Sequence, residues 1–336
     1  MKILLLSGGK SAEHEVSIVS SAFVRSVLSE SGHELISVEI DKEGQWSLNG
    51  TCLEIQTTHP AWKLMLGDTE LAFDAVFPVL HGPFGEDGTL QGLCRMAGWP
   101  CAGADVMTSA LAMNKVTAKE LVSCSGIPVL PWISLTNQST PLQELPDPLK
   151  YPVFVKPARM GSSIGISKVD SPEKLSEAVR KAFEFDDLIL IEKGLERARE
   201  IEVALLSESG RISSSVAGEI IPGHHWYDYT AKYECAESEL LIPAPVPENL
   251  SLKIRTCAEE CFALLQGRGF ARADFLLDSD GSFYFNEINT IPGFTEISMF
   301  PKLWNASGIS PSEVLSRILD EAVRSNLHNG KGRMIH

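Results

Sequence analysis

The chain has 336 residues and a formal charge of −15, with 29 Lys and Arg against 44 Asp and Glu, so a surface that tracks nucleic-acid phosphates has no electrostatic basis. Hydrophobic residues at 44% and charged residues at 22% are globular proportions, which excludes wholesale disorder, collagen-like repeats and coiled coil. The length calls for two or three packed units.

The opening MKILLLSGG holds an apolar run too short for a signal sequence, and no apolar run approaches the ~20 residues of a membrane span. The seven cysteines (52, 94, 101, 124, 235, 257 and 261) form no C-x-x-C pair, and they read as reduced core residues. A cytoplasmic enzyme or binding protein is expected, with neither nucleic acid nor membrane as partner.

Ile3 to Leu6, closed by Ser7-Gly8-Gly9, reads as a buried parallel strand entering a turn. Helical spacing follows from Ser17 to Leu28, and a second strand runs from Glu34 to Ile40. A third strand, Ala75 to Val79, ends at His81-Gly82-Pro83-Phe84-Gly85-Glu86-Asp87-Gly88, and a further helix starts near Thr89. Loops that follow parallel strands line the crevice of such sheets, so residues 8–15 and 81–88 are expected to face one cleft. Glu15 is there either a helix-dipole partner or a receptor for an ammonium group, and His81 either caps its loop or bonds a substrate.

Residues 109–126 carry one helical pattern, and 127–152 reads as a Pro-rich connection. Strands are expected at 153–156, 164–169, 188–192 and 201–206, with a helix from Pro172 to about Phe185, which makes a small α+β unit. Residues 222–247 are polar and aromatic without a sustained period, and a loop of that length reads as a lid. The last third holds a helix near 248–267, a hairpin at 270–289 and a terminal helix around 311–325.

The hairpin carries the most chemistry. With Asp280-Gly281 as a two-residue turn, Asp274 lies opposite Glu287 and Arg272 opposite Asn289, all on one face together with Leu276 and Phe285. Facing carboxylates repel, so a positive charge is expected between them. An oxygen-only donor set of Asp, Glu and Asn suits Mg²⁺ or Mn²⁺ with substrate phosphates, the alternative being a solvated sheet face.

Lys156 precedes Pro157-Ala158-Arg159-Met160-Gly161-Ser162-Ser163, a turn able to aim N–H groups and hydroxyls at phosphate oxygens. In the long loop, Lys232 sits among Tyr227, Tyr229 and Tyr233, where a closing lid would bring a charge to a terminal phosphate.

The ordered segments SAEHEVS (11–17), HGPFGEDGTLQG (81–92), NK (114–115), VKPARMGSSIG (155–165), YDYTAKY (227–233), ARADF (271–275) and NEINTIPG (286–293) closely resemble the D-alanine:D-alanine ligase family of the ATP-grasp superfamily. The resemblance implies an α/β protein, an ATP-grasp fold of two α+β units preceded by a Rossmann-like parallel-sheet domain, divided as 1–107, 108–190 and 191–325 with a tail at 326–336. It implies ATP and two Mg²⁺ (or Mn²⁺) ions, two D-alanines joined through a D-alanyl phosphate, and a homodimer. Position by position, Lys115, Lys156, Glu192, Lys193, Leu195 and Glu200 match nucleotide contacts, and Lys232 matches a phosphate-clamping lid lysine. Asp274, Glu287 and Asn289 match the metal site. Glu15, His81, Ser162, Tyr233, Arg272, Gly293, Ser298 and Met299 match amino-acid and transition-state contacts. A ligase that joins D-alanine to D-lactate is the nearest rival, and the Tyr-Lys-Tyr lid pattern favours the dipeptide.

Overall fold

The computed structural model describes residues 1–58, 61–137, 144–221 and 239–331. Its first sheet grows from the apolar run at the N-terminus. β1 (Lys2–Gly8), α1 (His14–Glu30) and β2 (Glu34–Ile40) form the expected βαβ opening. Two short strands, β3 (Trp46–Leu48) and β4 (Thr51–Cys52), extend the edge, and β5 (Glu54–Gln56), β6 (Lys63–Leu66) and β7 (Thr69–Glu70) make a separate small sheet. β8 (Ala75–Pro78) returns beside β1, so the order is β4-β3-β2-β1-β8 with β2, β1 and β8 parallel and the β3–β4 edge antiparallel. Both faces of β1 are covered, as the unbroken run of Ile3, Leu4, Leu5 and Leu6 requires.

α2 (Thr89–Ala97) is followed by α3 (Val106–Met113) and α4 (Lys115–Cys124). The sequence pattern predicts one helix over 109–126, but Asn114 is extended at φ −86° and ψ 98° and ends one helix while starting the next. Its side chain accepts from Val116 N and Thr117 N, the bond that makes Asn a favoured helix start.

A four-stranded antiparallel sheet then forms from β9 (Trp132–Thr136), β10 (Val153–Pro157), β11 (Ser167–Val169) and β12 (Leu188–Lys193), in the order β11-β10-β12-β9, with α5 (Leu175–Ala182) packed on it. β9 lies within the stretch read as connection, where flanking prolines masked a strand of only five residues.

The third sheet is antiparallel: β13 (Arg199–Glu208), β14 (Arg211–Ile221), β15 (Glu239–Leu241), β16 (Gly269–Leu277) and β17 (Phe283–Asn289), ordered β15-β14-β13-β16-β17. α6 (Glu248–Leu264), α7 (Met299–Ala306) and α8 (Pro311–Lys331) complete the chain. The end of the segment expected to be all lid is therefore an edge strand, since β15 pairs with β14. Phe77 of β8 meets Phe270 of β16 and Phe294 in one aromatic cluster, which binds the first sheet to the third and fixes the cleft between them.

The cysteines depart from expectation in part. Cys94, Cys257 and Cys261 are buried, but Cys52 and Cys124 are exposed. No described helix is long and apolar enough to cross a membrane.

Candidate active site

A cavity of about 1150 Å³ opens between α1, the loop after β8, the turn after β10, the β16–β17 hairpin and residues 291–299. Its walls bring together His81, Ser162, Arg272, Glu287, Asn289 and Gly293, residues far apart in sequence.

The hairpin positions the charged floor. Asp274 pairs with Glu287 and Arg272 with Asn289, as the turn arithmetic predicts. Beyond Asp274 the register slips by one, so Phe275 faces Phe285 and the turn closes through Asp278 N–H to Ser282 O at 2.8 Å. The loop is therefore three residues, 279–281, and a bulge near Asn286 takes up the difference. The bulge has a chemical effect. It turns Phe285 into the apolar cluster that holds Phe275, correcting the expectation that it shares the carboxylate face, and Lys156 Nζ reaches Asn286 Oδ1 at 3.5 Å.

β13 adds what the hairpin alone does not reveal. Glu202 pairs with Asp274, so Glu202, Asp274 and Glu287 stand in one row across three strands. Arg272 compensates this row: Nε lies 3.0 Å from Glu202 Oε2 and 2.7 Å from Asp274 Oδ1, and Nη2 lies 2.6 Å from Asp274 Oδ2. Against burial, the charges of Asp274 and Glu202 hold the guanidinium pKa well above its ordinary value. Asn289 Nδ2 donates to Asp274 Oδ2 at 2.9 Å, and Lys115 Nζ pairs with Glu287 Oε2 at 3.2 Å.

Among the described residues no three His, Cys, Asp or Glu side chains form a ready-made metal cage. Two carboxylates and an amide on one face nevertheless supply hard oxygen donors of the kind a phosphate-bound Mg²⁺ takes while keeping waters.

Around the start of α1 the structure separates Glu13 from Glu15. Glu15 is exposed on the first turn of α1, and its carboxylate pairs with Lys42 at 3.2 Å on the cavity rim. Glu13 precedes the helix, is 5% exposed, and accepts the hydroxyl hydrogen of Ser162. A Cβ at Gly82 would lie 2.7 Å, and one at Gly161 2.6 Å, from Glu13 Oε2, so a larger residue at either position would displace the Glu13 carboxylate. α1 starts at His14, earlier than the apolar period suggests, so Glu15 falls in its first turn, in keeping with the helix-dipole alternative, while Glu13 takes the buried place. A usable signal was Ser11. Its hydroxyl accepts from Glu13 N at 3.1 Å and donates to His81 O at 2.6 Å, a Ser-based turn that aims Glu13 inward.

His81 is buried. Its Nδ1–H donates to Ile291 O at 2.9 Å, which leaves Nε2 to accept from Ser20 Oγ at 3.1 Å, and burial lowers its pKa. Glu86, which the sequence reading quoted without a role, grips the same peptide. Its Oε1 accepts from Ile291 N at 2.8 Å and its Oε2 from Gly82 N at 2.9 Å, and burial followed by the charge of Glu13 pushes its pKa up to about 8. The loop after β8 therefore holds both backbone polar groups of Ile291, two residues before Gly293.

Ser298 Oγ accepts from Thr295 N at 2.9 Å and closes the Gly293 turn, where a Cβ would come within 2.8 Å of it. Met299 opens α7 on the cavity wall, but its side chain is buried in the apolar cluster.

The expected nucleotide residues form a second group that is not part of this cavity wall. Glu192 Oε1 lies 2.5 Å from Lys119 Nζ and Oε2 lies 2.8 Å from Lys156 Nζ. Burial opposes ionisation of Glu192, yet Lys119 and Lys156 hold its pKa below the usual carboxylate value. Lys193 is exposed, whereas Leu195 and Glu200 are half-buried. Lys232 and Tyr233 lie outside the described residues.

Two family models match the chain, D-ala D-ala ligase N-terminus over residues 2–104 and D-ala D-ala ligase C-terminus over residues 121–320. The chain is 41% identical to the D-alanine–D-alanine ligase of Thermoanaerobacter sp. (strain X514), covering 99% of this chain and 98% of the relative. It is also 41% identical to that of Deinococcus radiodurans, covering 96% and 98%. Among solved structures, the D-alanine-D-alanine ligase from Coxiella burnetii superposes with a TM-score of 0.86 at 30% identity, covering 98% of this chain and 96% of that one. The VanG D-Ala:D-Ser ligase from Enterococcus faecalis gives 0.84 at 31%, covering 96% and 99%. The ATP-grasp fold expected from the sequence is thus the fold of the molecule, and the chain belongs to the D-alanine–D-alanine ligase family.

Proposed function

We propose that the protein joins two D-alanines into D-alanyl-D-alanine for peptidoglycan precursor synthesis, cleaving ATP to ADP and phosphate through a D-alanyl phosphate. The observation that carries this reading is the cavity itself. Its lining gathers a buried carboxylate, Glu13, with the Arg272 guanidinium and the Gly293 turn, the opposite charges that a zwitterionic amino acid needs.

Glu13, oriented by Ser162, receives the ammonium of the first D-alanine in the role assigned above to Glu15. Phosphorylation converts its carboxylate, a poor acyl donor, into a mixed anhydride. The amine of the second D-alanine, having given up its ammonium proton, attacks that carbonyl, Arg272 with the Gly293 N–H stabilises the tetrahedral oxyanion, and collapse breaks the C–O bond to expel phosphate. His81 and Glu86 keep the Gly293 turn in register by holding Ile291. Asp274, Glu287 and Asn289 would hold magnesium, which supplies charge neutralisation on the phosphates. Lys115 and Lys156 are the cations offered to ATP. The proposed lid carrying Lys232 and Tyr233 excludes water from the acyl phosphate. The division at 1–107, 108–190 and 191–325, a homodimeric state and a cytoplasmic location complete the reading.

Product analysis tests it. Incubation with ATP, magnesium and an equal mixture of D-alanine, D-serine and D-lactate should yield mainly D-alanyl-D-alanine by chromatography at both pH 6 and pH 8. Dominant D-alanyl-D-lactate at pH 6 or dominant D-alanyl-D-serine would replace the dipeptide assignment.

A further inference from the structure

Lys119 has no part in the reading above, yet it is among the largest fully buried side chains of the molecule, 1% exposed. It stands one helical turn after Lys115 on α4, so one short helix delivers both ammonium groups to the cluster. Its Nζ meets Glu192 Oε1 at 2.5 Å and donates to Phe285 O at 3.2 Å, the carbonyl beside the β17 bulge. Lys156 takes the other oxygen of Glu192 at 2.8 Å. Each carboxylate oxygen thus faces a different lysine.

The charge count decides what this arrangement does. Lys115, Lys119 and Lys156 are set against Glu192, Glu287 and the half-buried Glu200, whose charge also acts on Lys156; burial lowers the Lys119 pKa, and the charge of Glu192 in contact with it opposes that fall. Without Lys119 the carboxylates outnumber the ammonium groups, and both oxygens of Glu192 compete for Lys156. A polyanionic phosphate would then approach a group of net negative charge in a site where water screens poorly.

We propose that Lys119 is a positioning residue for nucleotide binding: it neutralises Glu192 from behind, and so leaves the Lys156 ammonium available to the ATP phosphates. This rests on the assignment of Lys156 to the nucleotide, and it adds a residue that never touches the ligand. The bond to Phe285 O gives Lys119 a second hold on the strand that carries Glu287.

Lys119→Gln is the informative variant, because an amide keeps a donor for Glu192 or the Phe285 carbonyl and removes only the charge. ATP affinity measured by calorimetry without D-alanine should fall about tenfold or more, the scale of one charged hydrogen bond, here the one Lys156 gives to the phosphates and loses when it is drawn back to Glu192. The KM for ATP should rise in parallel, while the KM for D-alanine stays within about twofold of wild type. Glu192 is itself among the expected nucleotide contacts, so the second measurement is the coupling: against Glu192→Gln alone, where the carboxylate to be neutralised is gone, adding Lys119→Gln should cost ATP affinity less than about threefold. A purely structural lysine would instead lower the unfolding midpoint and leave the ATP affinity of the single variant within about twofold; that result, or a further loss of about tenfold on adding Lys119→Gln to Glu192→Gln, overturns the proposal. If Lys119→Gln does not fold, the double variant, which keeps Lys115 and Lys156 against Glu287 and Glu200, is compared with Glu192→Gln alone. Removing the second charge should then change ATP affinity by less than about threefold, and a further tenfold loss would overturn the proposal. Calorimetry also separates the two readings: a wild-type protein that binds ATP but makes no dipeptide removes the ligase assignment and leaves this test standing.

Discussion

Ser162 gives its hydroxyl hydrogen to Glu13, joining the turn after β10 to the start of α1 across 149 residues of sequence. Ser162 holds a left-handed backbone at φ +47°, a conformation that costs a non-glycine residue about a kcal/mol or more and persists only where the surroundings fix it. The contact therefore seats Glu13 rather than merely covering it.

Glu13→Gln should lower kcat/KM for D-alanine by about 10- to 100-fold, the loss of roughly 1.5–3 kcal/mol expected for a charged hydrogen bond to an ammonium. Glu15→Gln removes only an exposed pair with Lys42 and should stay within about twofold. Steady-state rates over a D-alanine titration compare the two variants directly. A larger effect at Glu15 would restore the original assignment.

Glu287→Gln removes a carboxylate that pairs with Lys115 and faces Asp274. Activity should drop by about 100-fold or more, and the magnesium concentration needed for half-maximal rate should rise, because a carboxamide is a weaker ligand for a hard cation. Glu287 is partly exposed, so the unfolding midpoint should change little. Normal magnesium dependence in a folded variant would remove Glu287 from the metal site.

What the sequence made legible, and what it did not, follows from the range of the interactions. The β16–β17 pairing was readable from Asp274 to Asn289 because both strands belong to one hairpin, and the bulge was not, because it answers to Phe285 packing against Phe275. Glu202 escaped notice for a related reason. Its partner Asp274 is 72 residues away, and nothing local to β13 announces the row of carboxylates. Lys119 lies within the helical pattern of 109–126, where nothing local marks its face as buried. Only the fold shows that α4 turns that face inward, onto β12 and β17.

Glu86 makes stability depend on pH. Its pKa is raised to about 8 from 4.5, so the folded state keeps a proton that the unfolded chain gives up. The unfolded state gains from that ionisation as pH rises above about 4.5, so this contribution to stability is full below that pH and is lost progressively until about pH 8. Glu86→Gln cannot ionise and lacks the slope. Urea unfolding at pH 5 and pH 8.5 should show wild type losing about 2 kcal/mol or more relative to the variant over that interval. Parallel pH profiles would mean that Glu86 is charged throughout.

Asn114 offers a test of how the helix break serves the site. Its extended backbone ends α3, and its side chain caps α4 through Val116 N at 3.1 Å and Thr117 N at 3.3 Å. Lys115 is therefore the first residue of α4 and Lys119 lies one turn in, so the cap fixes where both ammonium groups point. Asn114→Ala should cost about 1 kcal/mol of unfolding free energy, the usual value of such a cap. It should also raise the KM for ATP by a few fold, with the KM for D-alanine nearly constant, because α4 carries no residue of the amino-acid cavity. Asn114→Asp keeps an accepting oxygen for the same two N–H groups and adds negative charge at the helix start, so it should retain the stability. That charge also stands beside Lys115, and for this reason ATP affinity should fall in the Asp variant even though the cap survives. Urea denaturation together with ATP titration of both variants separates the two contributions. Equal ATP affinity in all three proteins would show that the lysines are placed by packing alone.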